Sequence, residues 1–246
     1  MLLVGGASVL LERNTLRDGA GAGLLVEAGG DGGGVGGGGV ARRNAIHGHA
    51  GANVQLSGVG GALLLESNDI HSGGGVGVLV RGGSAVLRAN QLHTHALAHV
   101  RLVEVGAGCA LEGNTIRGGG DCGVALVRCG ALLLARNTIA RTAKAGVLAH
   151  GTATATATAT ATNASVSAGA GTDAGTATGA ASAGAAAAPL LVGNTVQHSQ
   201  HAGVYLYDGC TATLLGNEVG ASTCYLPPTP WSLVLTPHPS LITPYY

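Results

Sequence analysis

The sequence has few aromatic residues and little charge. Phenylalanine is absent, tryptophan occurs once, and the three aromatic residue types together make up 2% of the 246 residues. A wide globular core packed around aromatic rings is therefore excluded, and Val, Leu, Ile and Ala must fill any interior. Twelve Lys and Arg balance twelve Asp and Glu, so the composition gives no electrostatic reason to expect a nucleic-acid or membrane-surface partner.

Motifs for metal and nucleotide sites are also lacking. The five cysteines form no CxxC pair, HExxH does not occur, and the only lysine, Lys144, is followed by Ala145 instead of Ser or Thr. We therefore predict no metal, no cofactor and free thiols that are mostly buried. No apolar run reaches the roughly 18 residues of a membrane helix, and the first residues carry no basic region typical of a signal peptide. These features favour a cytoplasmic or nuclear location without a membrane partner.

What the sequence does contain is a repeat marked by asparagine. Eight asparagines are each followed, two positions later, by Leu, Ile or Val: Asn14, Asn44, Asn68, Asn90, Asn114, Asn137, Asn194 and Asn217. The intervals between them are 30, 24, 22, 24, 23, 57 and 23 residues. The two long intervals contain low-complexity inserts, a glycine run at residues 31–39 and an Ala/Thr/Gly tract at residues 152–188. A common period of about 23 residues underlies the rest.

Aliphatic residues recur at fixed offsets from each asparagine, three positions before it and two, ten and twelve positions after it. Within each short run they alternate with polar or small residues, as in a β-strand, and glycines between the runs supply turns. One coil cannot bury its own aliphatics, so the coils must stack with their strands paired in parallel. The sequence predicts an all-β solenoid, a single-stranded right-handed parallel β-helix of about 7–8 coils with three short strands per coil.

We expect this β-helix to span residues 1–224, with a proline-rich tail at residues 225–246 that caps the last coil or stays partly disordered. Leu2 and Val4 resemble the end of a coil whose beginning is absent from the sequence. We therefore expect either a monomer with a bare first coil or a missing upstream cap or domain.

Two columns of polar residues should support the stack. The eight asparagines are predicted to form an inward amide ladder, because an amide can donate to and accept from its copies in neighbouring coils. The alternative is a set of independent turn asparagines in left-handed conformations. Two positions before the asparagine the charge alternates from coil to coil, through Glu12, Arg42, Glu66, Arg88 and Glu112. We interpret this column as support for coil register, with each exposed pair contributing less than about 1 kcal/mol.

The candidate binding surface lies three residues after the asparagine. Five consecutive coils carry a basic or titratable side chain there: Arg17, His47, His71, His93 and Arg117. We call these five residues the Arg/His column. The column is most simply a solvated polar column between apolar positions; recognition of an anionic partner such as an acidic peptide or a uronic-acid sugar is the functional alternative, and a metal site is less favoured. His49, His95 and His99 are expected nearby on the same surface.

The repeat N-x-I-x(6)-G-V-x-V followed by G-x-A-x-L-x-x-N resembles that of the pectin-lyase-like superfamily. The passages LLLESNDIHSGGGVGVLVRGGSAVLRANQLH and LLLARNTIARTAKAGVLAHG are most similar to the carbohydrate-binding and sugar-hydrolysis (CASH) repeats of F-box-only adaptor proteins. This resemblance covers about residues 5–224 without the insert. It implies a right-handed β-helix that recognises protein substrates for ubiquitin ligation, although no F-box or zinc finger is recognisable here.

The leading functional expectation is therefore a non-catalytic recognition scaffold with a protein partner. The alternative is a carbohydrate-active β-helix of the polysaccharide lyase or hydrolase type, or a carbohydrate-binding one. Sugar hydrolysis needs paired carboxylates within about 5–10 Å. The aspartates on the coils stand at different offsets from their asparagines, and the stacked glutamates alternate with arginines. Hence no catalytic residue is assigned, and enzymatic activity is not expected.

Overall fold

The computed structural model describes residues 1–4, 8–27, 38–151, 188–220 and 234–235. These residues form a right-handed parallel β-helix, as predicted, and the described part of the chain contains strands and turns but no helix. No segment of it therefore has the helical length and apolarity that a membrane span needs. Most of the 31–39 and 152–188 inserts and of the 225–246 tail lie outside the described residues.

The residue order within a coil follows the predicted register. Directly after each asparagine comes a three-residue strand of an eight-stranded parallel sheet. Its strands are Thr15–Arg17, Ala45–His47, Asp69–His71, Gln91–His93, Thr115–Arg117, Thr138–Ala140, Thr195–Gln197 and Glu218–Gly220. A turn of six residues, or of four in the two coils that follow Asn137 and Asn194, then leads to the second sheet, which has fifteen strands and two arms.

The first arm of the fifteen-stranded sheet follows the turn, and the second arm precedes the next asparagine. The first arm contains Leu2–Val4, Leu24–Glu27, Val100–Val103, Val124–Val127, Ala145–His150 and Ala202–Tyr207. The second arm contains Val9–Glu12, Gly39–Arg42, Ala110–Glu112, Leu133–Ala135, Leu190–Val192, Thr213–Leu215 and Val234–Leu235. Each strand pairs in parallel with the equivalent strand of the next coil.

Two coils depart from the prediction of three short strands. Val54–Glu66 and Val78–Arg88 each run without a break from the first arm into the second and so join the arms into one sheet. Gly58, Gly82 and Gly83 have φ of 63°, 59° and 82°, which lets the backbone turn this corner while strand pairing continues on both sides. The expectation of three separate strands is wrong for these two coils.

A left-handed residue stands directly before every one of the eight asparagines, with φ between 53° and 60°. Five of these residues are not glycine: Arg13, Arg43, Ser67, Ala89 and Arg136. Each pays roughly 1 kcal/mol for this conformation. The bend turns the chain from the second arm into the eight-stranded sheet and aims the following asparagine inward. The left-handed conformation thus belongs to the preceding residue and not to the asparagine.

The core is a stack of aliphatic layers. The residues two positions after the asparagine in the central coils, Ile46, Ile70, Leu92, Ile116 and Ile139, are fully buried. They pack against the first-arm residues Leu24, Val54, Val78, Val100 and Val124, which are also fully buried. Val219, at the same register position in the last described coil of this sheet, is 48% exposed because no further coil covers it there.

The predicted insert and tail each contribute a few described residues to the helix. Gly39, assigned to the glycine insert, begins a strand and pairs with Val9 on one side and Leu63 on the other. In the tail, Val234 and Leu235 pair with Thr213 and Leu214 of the second arm. The repeat therefore resumes at Gly39, and two tail residues extend the sheet.

Candidate functional site

The eight asparagines form one continuous column of hydrogen bonds. Asn68 is typical: its backbone N–H and its Nδ2 both donate to Oδ1 of Asn90, at 2.9 and 3.0 Å. The second Nδ2 hydrogen goes to the carbonyl of Ala41 in the preceding coil, at 2.7 Å. The same pattern connects the column from Asn14 to Asn217, and its six inner members are 1–2% exposed. Every asparagine thus fixes the height of its coil relative to the next.

The Arg/His column lies on the outer face of the eight-stranded sheet, directly outside this asparagine column. Strand pairing places the five residues opposite one another, Arg17 to His47, His47 to His71, His71 to His93 and His93 to Arg117. The three imidazoles are stacked with centroids 4.6 and 4.9 Å apart and interplanar angles of 7° and 2°. The arginines at both ends are exposed and the histidines partly exposed. Four steps of about 4.8 Å make the column roughly 19 Å long.

Two carboxylates stand beside the column, and one of them, Asp18, lies with Oδ2 3.7 Å from Arg17 Nη1. Asp69 Oδ1 lies 3.2 Å from His93 Nε2. Partial burial lowers the pKa of His71, and its neighbours His47 and His93 lower it further, whereas Asp69 raises it. His71 is therefore neutral at neutral pH. Arg17 and Arg117 give the column its permanent positive charge.

A second outward column runs parallel to the first, one residue after each asparagine. It consists of Thr15, Ala45, Asp69, Gln91, Thr115, Thr138, Thr195 and Glu218. Hydroxyl, amide and carboxylate groups therefore lie beside the Arg/His column along the length of this face. Such a face presents arginine and histidine side chains in one line and hydroxyl, amide and carboxylate groups in the next.

The other three histidines are not on this surface. His49, His95 and His99 are 4%, 2% and 0% exposed, so their placement beside the Arg/His column is wrong. They point into the turn between the eight-stranded sheet and the first arm. Glycines of adjacent coils make room for them: a Cβ added at Gly19 would lie 2.8 Å from His49 Nδ1, and one at Gly77 2.8 Å from His95 Cε1.

Burial keeps His95 and His99 uncharged at neutral pH. It lowers the pKa of His95 to about 3, with a smaller contribution from His99, and it also lowers the pKa of His99. His49 accepts a hydrogen bond from the Gly19 N–H at 3.0 Å and faces the Leu16 carbonyl through Nε2 at 3.1 Å. They are parts of the turn interior and do not face solvent.

The alternating charges before the asparagine pair across the coils in two places. Arg42 lies 2.9 Å from Glu12, and Arg88 lies 3.2 Å from Glu112. The hydrogen bond from Arg42 lowers the pKa of Glu12. All four side chains are partly or largely exposed, so their contribution is small and they act at the edge of the second arm.

A further cluster escaped the sequence analysis. Tyr205 and Tyr207 lie on the outer face of the first arm, and His150 stacks on Tyr207 from the preceding coil. A depression of about 280 Å³ adjoins Tyr205. The sequence does carry a signal for this cluster, since these are the only tyrosines before residue 225.

The described residues contain no group of three or more His, Cys, Asp or Glu side chains that could hold a metal ion. Parallel imidazoles about one coil apart do not converge on one point, which explains why the Arg/His column forms no such group. Cys109, Cys122, Cys129 and Cys210 are free thiols, and the first three are buried.

The family model described as "Right handed beta helix region" matches residues 34–184. Among solved structures, the chain is similar to the A-module of the Azotobacter vinelandii mannuronan C-5 epimerase AlgE4, with 14% identity over 91% of this chain and 56% of that one and a TM-score of 0.63. It is also similar to the AlgE6 A-module, with 16% identity over 92% of this chain and 57% of that one and a TM-score of 0.56.

A third similar structure is a double mutant of the periplasmic alginate epimerase AlgG, with 14% identity and a TM-score of 0.59. The match covers 92% of this chain and 47% of that one, so the chain spans about half the length of these epimerases. Identities this low show the shared pectin-lyase-like fold alone. No curated protein sequence matches the chain.

Proposed function

Because the chain belongs to the right-handed β-helix family, we propose that it binds an acidic polysaccharide along the outer face of its eight-stranded sheet. The observation that carries the proposal is the Arg/His column, in which two arginines flank three stacked imidazoles on five consecutive coils. A linear ligand with carboxylates and hydroxyls along its length matches a linear array of two guanidinium groups with three imidazoles between them. The coil stack provides that array at a constant spacing of about 4.8 Å.

Each part of this face has a role towards such a ligand. The guanidinium groups of Arg17 and Arg117 can each take a carboxylate in a bidentate pair at the two ends of the column. The three imidazoles between them donate hydrogen bonds when neutral and add charge when protonated. The parallel column, which includes Asp69, Gln91 and Thr115, offers donors and acceptors for sugar hydroxyls.

The comparisons favour a carbohydrate ligand over the protein partner implied by the F-box resemblance. The structures similar to this chain are named for alginate and mannuronan epimerases, whereas nothing in the comparisons supports an adaptor of ubiquitin ligation. At 14% identity these names support only the ligand class that the column itself suggests. Recognition of a protein partner is the alternative that the binding test must exclude.

A second candidate function is turnover of the same polymer, and one contact favours it. His93 Nε2 lies 3.2 Å from Asp69 Oδ1 on the exposed face, a pairing in which an imidazole can accept and return a proton. Incubating the chain with uronate oligosaccharides tests this. Turnover is supported if NMR shows a change of C-5 configuration, or if an unsaturated product absorbs in the ultraviolet, and if H93Q abolishes that signal. If the substrate stays intact, the face binds the polymer without turnover.

Calorimetric titration of the intact chain with uronate oligosaccharides and with neutral oligosaccharides of equal length tests the proposed function. We expect the uronates to bind more tightly, and the double variant Arg17→Ala, Arg117→Ala to lose roughly tenfold or more in affinity, since each charge-assisted pair is worth about 1.5–3 kcal/mol when well formed and less where exposed. Arg101→Ala, an exposed arginine on the first arm, is the matched control and should bind as the unmodified chain does. Equal affinity of the double variant and the control would refute the proposal.

A further inference from the structure

The tyrosines of the described chain lie together on one outward patch. Tyr205 and Tyr207 occupy alternate positions of the strand Ala202–Tyr207, on the face opposite to the buried Leu206. Tyr207 pairs with His150 of the preceding coil, and their rings stack at 5.0 Å with an interplanar angle of 20°. Tyr205 and Tyr207 stack at 5.3 Å and 28°. In a chain with 2% aromatic residues, three rings in one outward stack do not serve the core.

A depression adjoins this stack on the Tyr205 side. Its volume is about 280 Å³, close to the lower end of small-ligand pockets, at about 300 Å³. It is lined by Cys122, Lys144, Ala145, Leu148, His201, Ala202 and Tyr205. The floor is thus mainly aliphatic, one wall is an aromatic ring, and polar groups stand at the rim.

The polar rim combines a cation with an anion. Lys144, the only lysine of the chain, lies with Nζ 2.9 Å from Asp121 Oδ1 and remains largely exposed. That hydrogen bond raises the pKa of Lys144, which therefore stays charged. Burial raises the pKa of Cys122 to about 11, so this thiol is protonated at neutral pH and forms part of the floor without acting as a nucleophile.

We propose that this depression binds one pyranose ring of a saccharide, with the apolar face of the sugar against Tyr205 and sugar hydroxyls at Lys144 and Asp121. A pyranose has one face of C–H groups and a rim of hydroxyls, which matches an aromatic wall beside a donor–acceptor pair. Lys144 donates and the Asp121 carboxylate accepts, so vicinal hydroxyls satisfy both. The site would recognise the pyranose ring itself, which neutral and acidic sugars share.

This site is separate from the Arg/His column and does not rest on the proposed function. The column lies on the eight-stranded sheet in the five coils from Arg17 to Arg117, whereas the depression adjoins the first arm and extends from Cys122, in the last of these coils, to Tyr205. The column recognises repeated charge, and the depression recognises one ring.

Saturation-transfer NMR and calorimetric titration of the intact chain test the site, with two panels of short oligosaccharides, neutral and uronate. We expect Tyr205→Ala to weaken binding roughly 3- to 10-fold, the loss of one aromatic contact, and Tyr205→Phe to bind within about twofold of the unmodified chain. Lys144→Met should weaken binding by a similar factor. Leu79→Ala is the control, because Leu79 has the same outward register position four coils earlier.

The outcomes separate this site from the column. Binding that depends on Tyr205 but survives in the Arg17→Ala, Arg117→Ala variant supports the depression as an independent site, and the neutral panel shows whether the ring suffices without a carboxylate. Circular dichroism and melting of each variant establish that the fold is retained. If no saccharide of either panel binds, or if Tyr205→Ala binds as well as Leu79→Ala, the proposal is overturned.

Discussion

Replacing Asn90 by alanine tests how much the asparagine column contributes to stability. Asn90 is 1% exposed and takes part through its side chain in four hydrogen bonds: it accepts from Asn68 N and Nδ2, and it donates to Leu65 O and Asn114 Oδ1. Alanine leaves two donors of Asn68 buried without that acceptor. At about 1–3 kcal/mol for each unsatisfied group, we expect a loss of roughly 2–6 kcal/mol in the free energy of unfolding.

The matched control is Asn14→Ala at the exposed end of the same column. The Asn14 side chain donates to Glu12 O at 3.1 Å and to Asn44 Oδ1 at 3.2 Å, and solvent can replace both contacts. This variant should lose less than about 1 kcal/mol. Urea unfolding followed by circular dichroism measures both. Should Asn90→Ala unfold within 1 kcal/mol of the unmodified chain, the column would not be what holds adjacent coils in register.

Two further predictions concern the turn interior. Because burial lowers the pKa of His95 from 6.5 to about 3, the unfolded chain binds a proton that the folded chain refuses, so stability should fall by about 3 kcal/mol between pH 7 and pH 4. The free energy of unfolding of His95→Gln should fall clearly less across that range. An identical fall in both chains would contradict a buried, uncharged His95. Gly77→Ala would place a Cβ 2.5 Å from the His99 carbonyl oxygen and should cost about 1–3 kcal/mol. Gly21→Ala, with nothing within 4 Å, should be close to neutral; equal melting of the two variants would argue against tight packing there.

The fold was predictable because the asparagine sets a register that every neighbouring position obeys. The aliphatic two positions later is buried in coil after coil, as Ile46 and Ile116 illustrate, and period-two alternation assigns the outward positions of His71 and Arg117. The same register led to the Arg/His column as a stacked array, although its partner stays a prediction.

The turns were not predictable in the same way. A turn lacks the two-residue period of a strand, so the offset of His95 or His99 from the asparagine does not say whether the side chain points in or out. The decisive signal lies in the adjacent coils, where Gly77 of the preceding coil leaves space for His95 and Gly119 of the next coil leaves space for His99. The fusion of the arms through Gly82 likewise depends on a left-handed glycine conformation, which the strand alternation does not reveal.

The measurement that tests the central claim most directly is an NMR titration of the histidine side chains with a uronate oligosaccharide at pH 6. His47, His71 and His93 lie on the proposed binding face, and the buried His95 and His99 serve as internal controls in the same spectrum. We predict that the imidazole signals of the three surface histidines shift in a saturable manner while those of the two buried ones stay in place. If the oligosaccharide is added to saturation and none of the three surface histidine signals shifts, binding along the eight-stranded sheet is contradicted.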